Sequence, residues 1–258
     1  MKKNVTVSQL DTQLRKMTAA RVALGRSGSG LPTVASLAFA LDHARAREAV
    51  WSDMDKTSLR KALDLWPLAS VSSAAPDRSS YIRRPDLGRK LAPDTDLSIL
   101  PREGIIIVIA DGLSATAVNA NAIEVVTHLQ SLLPDPAGIV LAERGRVAIG
   151  DEIGATVQAK AVVVLIGERP GLSSADSLGA YITWAPEQGL PDSRRNCISN
   201  IRDGGLAPED AAKRIGSLLQ RMERAQISGV ALGSTVAENV ALADPHSEGV
   251  GNGSTKPS

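Results

Sequence analysis

Cysteine, histidine and aromatic residues are scarce in this 258-residue chain, and each shortage rules something out. The single cysteine, Cys197, excludes an internal disulfide framework. With only three scattered histidines beside it, no zinc-ligand spacing arises. Aromatics make up 2% of the residues, so the core has to be built from aliphatic side chains and alanine. A formal net charge of +1 leaves no electrostatic footprint for nucleic acid or an anionic membrane. No apolar run approaches membrane-spanning length, and Met1-Lys2-Lys3-Asn4 has no apolar segment behind it, so the start is not a signal peptide. Nucleophile elbows, HExxH and Cys/His metal motifs are also missing. Together these shortages describe a soluble protein of a reducing, cytoplasmic compartment.

What is present is a set of short β-branched runs. Val162 to Ile166 is too short for a helix and suits a strand buried on both faces of a parallel sheet. It stops at Gly167, and Glu168-Arg169-Pro170-Gly171 follows as two charges and a turn. Ile105 to Ile109 is a second such strand, ended by Ala110-Asp111-Gly112, with Ser114 placed to cap the next helix. Ile139 to Ala142 is a third, and Asp151 to Lys160 is read as a helix between strands. Tyr181 to Trp184 is a further apolar stretch leading towards Cys197. Pro208-Glu209-Asp210 opens a last helix with proline in its first turn and acids at its positive end. Strand alternating with helix predicts an α/β fold: a doubly wound, mostly parallel, open, Rossmann-like sheet. In such sheets ligands sit at the carboxyl ends of strands.

The first part of the chain reads differently. Residues 8–24, the segment opened by Pro32-Thr33 with Val34, Leu37, Ala38 and Leu41 on one face, and residues 56–68 have helical apolar spacing, and the region is studded with arginines. Gly25 to Gly30 is no Walker loop, since Leu31 stands where lysine is needed. It is no dinucleotide fingerprint either, because a helix rather than a strand precedes it. That disfavours a free-standing nucleotide binder. Residues 72–80 read as a loop. Residues 1–97 are therefore an N-terminal helical region without its own core, 98–232 an α/β domain, and 233–258 a disordered tail rich in small polar residues.

Three side chains invite chemistry. Asp111 at a strand end is either a turn aspartate bonded to nearby amides or a ligand. Glu168 is either half of an ion pair or an acceptor for a polar ligand, and Cys197 is by default a small hydrophobe without an activated thiolate. His43 falls in the polar phase of its helix. Asp244-x-His246-x-x-Gly249 fits a pattern by which some cobalamin enzymes present histidine to cobalt, but it lies in a polar tail without a preceding strand and is read as coincidence.

Several runs, in order, resemble the small (light) subunit of ethanolamine ammonia-lyase: RKMTAARVALGRSGSGLPT (15–33), LDHARAREAVW (41–51), YIRRPDLGRKL (81–91), IADGLSATAV (109–118), GDEIGA (150–155), GERPGLSSADSLGAY (167–181) and NCISNIR (196–202). The resemblance covers about residues 10–232 and implies an adenosylcobalamin-dependent lyase that converts ethanolamine to acetaldehyde and ammonia by a radical route. It further implies a TIM-barrel large subunit carrying substrate and catalytic residues, with this chain helping to enclose the cofactor and contributing no catalytic residue or metal ligand. Carried over from the family's motifs, Val147, Glu168 and Cys197 are the cofactor-binding positions. A hetero-oligomer of large–small pairs and packing in a bacterial microcompartment belong to the same implication, and residues 8–24 are compatible with a targeting segment or with part of the fold. The competing expectation is a non-catalytic scaffold homologue that docks on a partner chain without cofactor.

Overall fold

A computed structural model describes residues 9–18, 20–22, 24–133 and 137–233. The tail expected to be disordered lies, beyond Gly233, outside the described residues, and so does the Asp244 to Gly249 motif.

The protein is α/β, with one six-stranded, mostly parallel sheet in the order β1-β3-β2-β4-β5-β6. β1 is Leu68–Ser72, β2 Ile105–Ala110, β3 Ala137–Glu143 and β4 Ala161–Gly167, all parallel to one another. β5 (Leu178–Trp184) and β6 (Asn196–Ile201) run antiparallel. The helices are α1 (Gln9–Met17), α2 (Thr33–Trp51), α3 (Lys56–Ala62), α4 (Arg78–Arg83), α5 (Ala115–Gln130), α6 (Ile149–Val157) and α7 (Pro208–Ala225).

The β-branched runs became strands because both of their faces are covered. Ile105, Ile107 and Ile109 of β2 point into the core under α5 and α7, together with Val163 and Leu165 of β4. Ile106, Val108, Val162 and Val164 point to the opposite face, where Ile149 and Ile153 of α6 close a second core. A strand packed on both faces has no polar phase, hence the unbroken apolar runs. Ser114 caps α5 as expected, its Oγ accepting from the Ala117 amide at 3.2 Å and donating to the Ala175 carbonyl at 2.7 Å.

The structure corrects the reading of the first third of the chain. The helix expected over 8–24 is seen over Gln9–Met17, and that expected over 56–68 ends at Ala62. Leu68–Ser72 is an edge strand, and the expected loop 72–80 contains the start of α4, capped by Asp77, whose side chain accepts from the Ser80 amide at 2.7 Å. The helix expected over 151–160 starts two residues earlier and ends at Val157. The last two strands return antiparallel because no helix lies between β4 and β5 to carry a parallel crossover.

Between the carboxyl ends of β2 and β4 the chain direction switches: the connection from β2 leads through α5 to β3 on one side, that from β4 to β5 on the other. Two glycines make this junction possible. Gly112 has φ +56°, and a Cβ there would sit 2.3 Å from the Gly167 carbonyl oxygen; a Cβ on Gly167 would lie 2.0 Å from that of Ser114. The Leu113 amide donates to the Gly167 carbonyl at 2.9 Å, so the turn after β2 is sewn directly to the end of β4.

Candidate functional site

Two cavities open at this switch point and share a wall. One, of about 350 Å³, is lined by Arg89, Arg146, Val147, Tyr181, Arg195 and Cys197, among others. The second, of about 390 Å³, shares Arg146, Val147 and Tyr181 and adds Gly112, Glu168 and Arg169. Of the three positions carried over from the family, Val147 lines both cavities, Glu168 lines the second and Cys197 the first.

Glu168 follows the last residue of β4 and is held by neighbours. Ser177 Oγ donates to its Oε2 in a short hydrogen bond, and the Asn200 amide of β6 donates to the same oxygen at 3.3 Å. Gly179 leaves room for the side chain, since a Cβ there would meet Glu168 Oε1 at 3.0 Å. The carboxylate is thus an oriented acceptor tying three strands together at the cavity edge. It has no cationic side chain within ion-pair distance among the described residues, which removes the ion-pair alternative for it.

Cys197 is exposed on β6 and stands directly across from Tyr181 of β5. Burial of its flank pushes the thiol up from its ordinary value, the negative charge of Glu168 adds to this, and the hydrogen bond with Tyr181 opposes it. Burial, followed by the negative charge of Cys197 and Glu168, pushes the Tyr181 phenol up to about 12. Near neutral pH both are therefore predominantly uncharged, and the Cys197 thiol is not activated.

Val147 stands on a shelf built from distant sequence. Tyr81 of α4 is fully buried, donates from its hydroxyl to the Gly145 carbonyl at 3.0 Å, and carries the Arg146 guanidinium 4.3 Å from its ring centroid. Arg146 also donates from its side chain to the Tyr81 carbonyl at 3.3 Å, and from its amide to the Gly88 carbonyl at 2.7 Å. A side chain at Gly88 would strike both partners: its Cβ would lie 2.8 Å from Arg146 Cγ and 2.8 Å from Tyr81 Cε2. Burial raises the Tyr81 phenol far above its ordinary value, so it remains a donor.

Asp111 does not reach either cavity. It is 7% exposed, its Oδ2 lies 3.1 Å from Arg78 Nη1, and its Oδ1 accepts from the Gly145 amide at 3.2 Å. Burial pushes its carboxyl up, with Arg78 as the main opposing influence. The structural alternative for Asp111 is the one realised, with a buried ion pair added. Arg195 plays a matching part on the far side of the first cavity. Its guanidinium, nearly buried, bonds Asp151 of α6 in a short contact, Asp192 at 2.5 Å and the Leu190 carbonyl at 3.2 Å. His43 is exposed on α2 beside Phe39 and lines neither cavity. Among the described residues no group of three or more His, Cys, Asp or Glu could hold a metal ion, and no helix is long and apolar enough to cross a membrane.

Sequence reasoning did not single out Tyr81, Arg146, Tyr181 or Arg195. Tyr81 and Tyr181 lie inside runs quoted for the family resemblance, and that was the one available signal for them.

The fold and cavities define a class: an α/β protein whose strand-end crevice offers uncharged donors, an oriented carboxylate and arginines, with no histidine in either wall. Comparison with known proteins gives the particular family. The family profile of the ethanolamine ammonia-lyase light chain matches residues 9–233, and the chain belongs to that family, which supplies a subunit of a lyase. It is 49% identical over 230 residues to an ethanolamine ammonia-lyase small subunit of Rhodopseudomonas palustris, covering 85% of this chain and 88% of that one. A Bradyrhizobium diazoefficiens protein of the same name is 50% identical over 231 residues, with the same shares covered. One from Azotobacter vinelandii is 45% identical over 253 residues, covering 93% of each chain.

Proposed function

We propose that this chain is the small subunit of an ethanolamine ammonia-lyase and that, with a TIM-barrel large subunit, it encloses adenosylcobalamin. The reading is carried by one observation: Val147, Glu168 and Cys197, distant in sequence, line two cavities with a common wall. Neither cavity is large enough to enclose a corrin, which suits a cofactor shared with a second chain. The donor set suits it as well: Glu168 accepts from the amide side chains of a corrin, Tyr181 and Cys197 are uncharged groups, and Val147 offers backbone and apolar contact. When bound, adenosylcobalamin supplies a cobalt–carbon bond whose homolysis begins the conversion of ethanolamine to acetaldehyde and ammonia. This chain's residues orient the corrin and keep water from its edge, while substrate and catalytic side chains belong to the large subunit. We read the sheet, with helices on both faces and a switch point between β2 and β4, as a doubly wound, Rossmann-like arrangement in which the crevice is the ordinary ligand position.

Docking falls to the helical part of residues 1–97. Val34 is 81% exposed and Leu37 65%, with Leu31, Phe39 and Leu41 also open, an apolar load suited to a protein partner. A hetero-oligomer of such pairs, in the cytoplasm or within a microcompartment, completes the reading.

The test is Glu168→Ala in the co-expressed complex, read by visible absorbance during adenosylcobalamin titration and by gel filtration. A cofactor constant weakened about tenfold with assembly retained is expected from the loss of a charge-assisted acceptor. Unchanged binding in a complex that still co-elutes would return the scaffold alternative.

A further inference from the structure

The cavity wall beside Val147 is charged in a way that corrin amides do not require. Arg146 Nε is buried and has no hydrogen-bond partner among the described residues, and neither Arg146 nor Arg89 has a carboxylate within ion-pair distance there. Both line the first cavity, with Val147 and Ala148 between Arg146 and the start of α6. The amides of Arg146, Ile149, Gly150 and Asp151 find carbonyls within the protein, whereas those of Val147 and Ala148 find no acceptor among the described residues. Orphan amides next to a helix start and an uncompensated guanidinium form an anion-accepting wall. The residues lining the first cavity set Arg89, Arg146 and Arg195 against one acid, Asp192, which Arg195 engages.

We propose that Arg146, Arg89 and the Val147 and Ala148 amides form a subsite for a phosphodiester, which in adenosylcobalamin is the linkage of the nucleotide loop. The inference rests on the cofactor reading above and deepens it. The phosphodiester is the cofactor's permanently anionic substituent, whereas the corrin periphery carries neutral amides, so the two parts of the ligand can be told apart by what binds them. Tyr81 and Gly88 set the Arg146 guanidinium in place before any ligand arrives, so little ordering is left to the moment of binding.

The experiment compares adenosylcobalamin with adenosylcobinamide, which lacks the nucleotide loop and its phosphodiester, by equilibrium titration of the large–small complex. In Arg146→Met, which keeps an unbranched stem against Tyr81, adenosylcobalamin is expected to bind about tenfold to a hundredfold more weakly while adenosylcobinamide changes by less than about threefold. Arg89→Ala, an exposed site that does not threaten folding, should show the same discrimination at about threefold to tenfold. Raising salt should weaken adenosylcobalamin binding to the unaltered complex more than to either variant. Equal weakening of both compounds in both variants, or no change for either, overturns the subsite and leaves the cofactor reading standing. An unaltered complex that binds neither compound overturns both.

Discussion

The central strands β2 and β4 and the edge strand β6 are made of different material and answer to different forces. β2 and β4 are buried along their whole length, and every residue of them is apolar or glycine. β6, at an edge of the sheet, mixes open and buried positions and carries Asn196, Cys197, Ser199 and Asn200. The sheet centre is fixed by burial on both faces; the β6 edge and the loops leading to it are fixed largely by a few polar ties. Ser177 and Asn200 bind Glu168, Arg195 binds Asp151, and Ser228 Oγ accepts from the Trp184 amide at 3.0 Å while donating to the Arg194 carbonyl at 2.6 Å. The cavity lies along the seam, so ligand-binding groups are set by the weaker part and anchored by the stronger.

That division can be broken from either side. The largest effect is expected from Gly167→Ala, which drives a Cβ into the Ser114 carbonyl at the junction of β2 and β4. A loss of about 3 kcal/mol or more, seen as a single lowered denaturation midpoint for the whole domain, is expected. Arg195→Ala leaves Asp151 buried without its counter-charge, at an expected cost of about 3 kcal/mol. Here hydrogen exchange should rise first in residues 185–201, with β2 and β3 still protected; uniform loss of protection across the sheet would contradict the two-material picture. Ser114→Ala removes the cap of α5, and about 1 kcal/mol is expected in chemical denaturation.

The smallest effect is a matter of reactivity. Cys197 has a raised pKa, so its thiolate fraction at neutral pH is below that of free cysteine, whose pKa is about 8.5. The rate of alkylation should therefore reach half its plateau at a pH above the free-cysteine value. A plateau already reached near pH 7 would show an activated thiolate and count against an uncharged cavity wall.

How far the sequence could be read follows the same line. β2, β3 and β4 announce themselves because complete burial leaves an apolar run that nothing else explains. β1 does not: Leu-Ala-Ser-Val-Ser is a short edge strand with polar positions, and its pairing with β3 comes from residues about seventy places away. α4 is six residues long, less than two turns of periodicity. Of the candidate site, Glu168 is legible as a charge abutting a buried strand, and Ser114 as a cap. Val147 and Cys197 came only from family likeness, since a valine in a link and a lone cysteine carry no local signal. Arg146 escaped because its meaning depends on Tyr81 and Gly88, contacts made across more than fifty residues of chain.

The shelf formed by Tyr81, Gly88 and Arg146 means that the cavity cannot be inherited piecemeal. Its floor comes from the segment after β3 and one wall from the segment before β2, so a cut anywhere between Leu91 and Ile105 divides the site between two fragments. Fragments split there would be held to each other by β1 lying against β3 and by the Leu91 amide donating to Glu152 at 2.7 Å. In such a split pair, regained ligand affinity would measure how completely the two pieces had found each other.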